Sequence, residues 1–130
     1  MTSRIGRLLF GVSALIGADF AAAGEVPSPG DERVAVGRDV YLRYCASCHG
    51  VNGEGQENWQ QRDEHGELPA PPHDASGHSW RHSDDMLYRM ISRGWRDPFN
   101  RSERLTMPAF GAMLSEQEIR AVVAYLRTLW

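Results

Sequence analysis

An all-α fold is predicted by three observations. Two well-separated segments carry apolar residues at three- and four-residue spacing, each of three periodic segments opens on a helix-capping residue, and no strand signal appears between them. The 130 residues leave room for one domain, and no internal repeat divides it.

The chain starts with Arg4 and Arg7, an apolar run from Leu8 to Ala18, and Ala21-Ala22-Ala23 ahead of Gly24. A positive head, a short apolar stretch and a small-residue cleavage site are the layout of a secretory signal peptide. The apolar run falls short of the roughly 20 residues that cross a bilayer. Residues 1–23 are therefore expected to be cleaved on export, with no stable membrane insertion afterwards, although Asp19 leaves the exact cut open. Residues 24–31, with Pro27 and Pro29, read as a flexible leader, and 32–130 as the folded domain.

The first helix is expected just after Asp31, a suitable N-cap, with Val34, Gly37, Val40, Tyr41 and Tyr44 near one face. It runs into Cys45 and Cys48. Glycine in mid-helix costs about 0.5–1 kcal/mol relative to alanine, so Gly37 implies close approach of another helix. That partner is the C-terminal segment. Ser115-Glu116-Gln117-Glu118 is a capping box, and Ile119, Val122, Val123, Leu126 and Trp130 follow at helical spacing. A shorter helix lies between, capped by Ser83, begun by Asp84 and Asp85, striped with Met86, Leu87, Met90 and Ile91, and stopped by Gly94. Its two methionines read as core packing.

Cys45-Ala46-Ser47-Cys48-His49 carries the chemistry. Two thiols three residues apart can add across the two vinyl groups of one porphyrin, and the adjacent imidazole can bind the iron. A dithiol redox centre or half of a zinc site would use the same pair. These are the only two cysteines, however, and no paired-histidine set completes a zinc site. One covalently attached haem c is the expected cofactor, and an exported chain meets the oxidising compartment in which a free pair would not survive.

A haem also explains the 33 residues after His49, which hold five glycines, three prolines and no sustained period. So long an irregular stretch argues against a compact all-protein domain, but it can wrap an apolar cofactor. The second iron ligand decides the function, because one strong ligand leaves a site for chemistry and two leave an electron carrier. Met107, in Thr106-Met107-Pro108-Ala109-Phe110 between two helices, is the best candidate. A thioether is soft and neutral, favours ferrous iron and raises the potential.

Taken together, the helix with Gly37 and Tyr41 that runs into Cys45-Ala46-Ser47-Cys48-His49-Gly50, the Met107-Pro108-Ala109-Phe110 element and the terminal helix with Tyr125-Leu126 form a known pattern. The chain resembles the class I monohaem cytochromes c of the bacterial periplasmic type. The resemblance implies first and last helices crossing near Gly37, one shorter middle helix, and a long loop wrapped around the haem. It also implies a proline carbonyl that accepts the ring N–H of His49. Pro69, Pro71 and Pro72 all qualify. The loop is enlarged relative to the shortest members and carries His65, His73, His78 and His82. These read as loop and capping histidines, with a second metal site from His73, His78, His82 and Asp74 as the alternative. Trp59, Trp80, Trp95 and Phe110 are expected to line the haem pocket, and Arg93 and Arg96 to be available to its propionates.

Composition narrows the partners. The chain has no lysine and a formal charge of −3, and removing Arg4, Arg7 and Asp19 with the leader takes it to −4. There is no basic footprint for nucleic acid. The expected function is a soluble periplasmic electron carrier, not an enzyme, meeting a donor dehydrogenase and an acceptor oxidase or reductase through a mixed or apolar patch. Two alternatives remain: a haem subunit of a periplasmic oxidoreductase or peroxidase, and a haem protein with an extra histidine-based metal site.

Overall fold

A computed structural model describes residues 28–130. The expected signal peptide, residues 1–23, and the first half of the expected leader, residues 24–27, lie outside the described residues. Four α-helices appear in order: α1 (Pro29–Tyr44), α2 (Ala46–His49), α3 (Asp84–Arg93) and α4 (Glu116–Leu126), with a single 3-10 turn at Ser79–Arg81. Among the described residues the only extended pairing is an isolated bridge between Trp95 and Met107. The all-α expectation holds, and no described helix is long and apolar enough to cross a membrane.

The helix starts are set locally. Ser115 Oγ accepts the Glu118 N–H at 3.2 Å while the Glu118 carboxylate accepts the Ser115 N–H at 2.8 Å, which satisfies two otherwise orphaned donors at the head of α4. Ser83 Oγ does the same for the Met86 N–H at 3.3 Å in α3. The start of α1 corrects the sequence reading. Its N-cap is Ser28 rather than Asp31, because Asp31 is the reciprocal partner in a second capping box. The Asp31 carboxylate accepts from the Ser28 N–H and hydroxyl at 3.2 and 2.7 Å. Proline at the first helical position needs no N–H partner, so the helix reaches back to Pro29, inside the expected leader.

The core sits where α1 crosses α4. Val40, Tyr41, Ile119, Val122 and Leu126 are almost wholly removed from solvent, with Leu87 and Ile91 of α3 packed alongside. Gly37 is required by that crossing: a Cβ there would stand 1.9 Å from the Ala121 carbonyl oxygen. The sequence places helix through Cys48 without interruption, whereas α1 ends at Tyr44 and a separate turn, α2, begins after Cys45. Tyr41 holds the end of that turn by donating its hydroxyl to the Gly50 carbonyl at 2.7 Å.

Candidate haem site

A cavity of about 740 Å³ opens beside the helix crossing, within the usual range of about 300–1,000 Å³ for cofactor pockets. Cys45, Cys48, His49 and Met107 all line it. The first three come from the α1–α2 junction. Met107 comes from the segment after α3, where its N–H and C=O pair with the C=O and N–H of Trp95 at 2.9 and 3.0 Å. Leu87, Ile91, Val122, Leu126 and Phe110 give the wall its apolar character. The donor set and the apolar wall fit a porphyrin bound through two thioethers.

The two thiols differ. Cys48 is exposed, whereas Cys45 is 8% exposed and burial pushes its thiol up to about 11, so it stays protonated near neutral pH. His49 is also 8% exposed, and burial lowers its pKa against the opposing effect of a hydrogen bond to Pro71. A neutral imidazole is the form that binds a metal. Its Nδ1–H donates to the Pro71 carbonyl at 2.9 Å, which selects Pro71 from the three candidate prolines and leaves Nε2 free.

Loop backbone brings Pro71 there. The Gln56 N–H donates to the Ala70 carbonyl at 2.9 Å and the His73 N–H to the Gly53 carbonyl at 2.7 Å, so residues 53–56 lie against 70–73. Gly55 permits the approach, since it has φ of +71° and a Cβ would meet the Pro72 nitrogen at 2.5 Å. Directly after the prolines, the His73 ring stacks on the His49 ring with centroids 4.1 Å apart. Its Nδ1 pairs with the Ser79 hydroxyl at 2.7 Å. Burial, then the charges His49 and His78 would carry, bring the pKa of His73 down to about 3.

Other expected residues divide. Trp59, Trp95 and Phe110 line the cavity, and His78 stacks on Trp59 at 5.7 Å with His82 edge-on at 5.4 Å. Trp80 does not: it is exposed, and its indole N–H is tied to the Gly77 carbonyl at 3.1 Å by the 3-10 turn. Arg93 and Arg96 lie outside the wall, with Arg96 engaged by the Ser102 carbonyl at 2.8 Å. The arginine that lines the cavity is Arg62, which the sequence did not mark because loop position has no periodic signature. Met86 and Met90 line the cavity rather than filling the protein core. His65 is exposed beside Glu64. Among the described residues no group of three or more His, Cys, Asp or Glu is arranged to hold a metal ion, so His73, His78 and His82 form no such set.

Comparison with known proteins agrees with this geometry. A family model described as cytochrome c matches residues 34–130. The cbb3-type cytochrome c oxidase subunit FixP of Azorhizobium caulinodans is 26% identical over 115 residues, covering 86% of this chain and 33% of that protein. The chain thus spans about a third of the length of that relative. A helix crossing closed on Gly37, a histidine oriented by a proline carbonyl, and a match over nearly all the described residues have one reading: the chain belongs to the cytochrome c family, class I, whose members transfer electrons through covalently bound haem c.

Proposed function

We propose that the protein is a soluble periplasmic electron carrier with one haem c, attached through Cys45 and Cys48 and ligated by His49 and Met107. The observation that carries this reading is the meeting of all four side chains at one apolar cavity, although Met107 is 58 residues from His49. A bound haem would supply a one-electron ferric–ferrous couple, and with His49 and Met107 both holding the iron there would be no position left for a substrate. The rest is done by the chain. The Pro71 carbonyl fixes the ring orientation and tautomer of His49, His73 covers one face of that ring, and the wall from α3 and α4 keeps water from the ligands. The export-signal layout of residues 1–23 supports a periplasmic location. The absence of lysine and the net negative charge favour docking of a donor dehydrogenase and an acceptor oxidase or reductase through apolar and mixed surface rather than a basic ring.

Replacing Met107 with alanine tests the ligand assignment. The oxidised protein is expected to lose its sulfur-to-iron charge-transfer band and its potential to fall. An unchanged spectrum removes Met107 from the iron.

A second reading, a haem subunit of a larger oxidoreductase, is favoured by the relative, an oxidase subunit three times as long as the matched region. Native gels of a cell extract with haem staining separate the two. A stained band at the mass of this chain alone supports the carrier, and one found only in a larger assembly supports the subunit.

A further inference from the structure

A buried polar cluster reaches the cavity wall through Glu67 and Asp97, and the proposed ligands do not use it. Glu67, Asp97 and Asn100 are 7%, 4% and 6% exposed. The last two lie in the excursion of residues 96–106, which the bridge between Trp95 and Met107 closes at its base. Glu67 lies in the enlarged loop, 33 positions before Asn100 in the chain.

The two segments are tied at several points. The Asn100 side-chain amide donates to the Glu67 carboxylate and lies 3.3 Å from Thr106 Oγ1. The other Glu67 oxygen accepts from Arg104 at 2.5 Å. Arg62 pairs with the Asp97 carboxylate at 2.8 Å and donates to the Gly66 carbonyl at 2.6 Å. The Arg101 N–H donates to the His65 carbonyl at 3.2 Å. Thr106, the neighbour of Met107, closes the set by accepting the Asp97 N–H at 3.1 Å. Each carboxylate has a guanidinium, so the cluster is charge-balanced, and deleting one member leaves a buried group without its partner.

We infer that the turn of residues 62–67 is a latch on the 96–106 excursion, and that Glu67 and Asn100 are positioning residues which set how readily Met107 leaves the haem iron. The inference rests on the assignment of Met107 as a ligand. With the latch closed the haem is a carrier; with it loosened the same haem admits an outside ligand.

Imidazole titrated into the oxidised, haem-loaded protein and followed by its visible spectrum provides the test. Met107→Ala is expected to bind imidazole far more tightly than the parent, and if it does not, the ligand assignment fails and the latch with it. Asn100→Ala is expected to raise imidazole affinity at least about tenfold, since it removes the hydrogen bond to the Glu67 carboxylate together with those to Thr106, the Arg104 carbonyl and the Ser102 N–H. Glu67→Gln keeps an acceptor for Asn100 and removes the charge facing the largely exposed Arg104, so about threefold is expected. Neither substitution changes imidazole affinity when Met107 is already alanine, whereas general loosening of the fold raises affinity in both backgrounds alike. Equal rises in both backgrounds, or no rise in the Met107 protein, overturn the inference. Should Asn100→Ala fail to fold, Glu67→Gln decides by the same two comparisons.

Discussion

The crossing of α1 and α4 and the loop part of the cavity wall, residues 50–82 and 95–114, are built on different principles. At the crossing, apolar side chains meet each other with almost no exposed area, and backbones approach as closely as Gly37 and Ala121 allow. In the wall, position comes from hydrogen bonds: Gly53 to His73, Gln56 to Ala70, Trp95 to Met107, Glu67 to Asn100. The apolar residues of the wall face a space that the polypeptide does not fill. One half of the molecule closes on itself and the other closes on its cofactor. Substitutions at crossing positions away from the cavity, such as Gly37, should therefore change stability and leave the haem spectrum alone, while those in the loop part of the wall should act chiefly on the spectrum.

Gly37→Ala is the strongest way to break the first half of that contrast. The added methyl meets backbone rather than a movable side chain, so overpacking of about 2–3 kcal/mol outweighs the helix-propensity gain of about 0.5–1 kcal/mol. Urea unfolding of the haem-loaded protein should show the loss with an unchanged native spectrum, and a variant as stable as the parent would refute close contact. Tyr41→Phe probes the joint between the halves, because its ring belongs to the core and its hydroxyl holds the Gly50 carbonyl. A loss of about 1 kcal/mol is expected, measured the same way. Glu118→Gln is the mildest. The Ser115 N–H and then its hydroxyl hold the Glu118 carboxyl below its ordinary 4.5, so its contribution is present above that value and lost as pH falls through the depressed one. The melting-temperature gap between parent and variant should thus be small near pH 6, begin to shrink below 4.5 and vanish once the pH is below the depressed value. A gap that widens in acid would contradict the cap.

How far these halves were legible follows from where their information lies. The middle and C-terminal helices, the Ser83 and Ser115 caps and the meaning of Gly37 come from residues within four positions of each other, and the structure has them where the pattern puts them. Asp31 misled because two acceptors three residues apart compete for one helix start, and the reciprocal pair with Ser28 wins. At the cavity, spacing for Cys45, Cys48 and His49, and position between two helices for Met107, marked residues that the structure brings to one cavity. Choosing Pro71 over Pro69 and Pro72, Arg62 over Arg93 and Arg96, or excluding Trp80 depends on how distant loop segments pair. No local period records that pairing.

Arg33 donates to the Arg120 carbonyl across 87 positions, and the whole helix crossing shares that separation. Contacts of such separation in sequence form slowly, because a long loop must close before they stabilise anything, so the crossing is expected to form late. The delay bears on Cys45: a thiol that ends 8% exposed is more open before the crossing forms, so haem attachment there is expected to be faster to the unfolded than to the folded chain, a difference that the attachment rates would show.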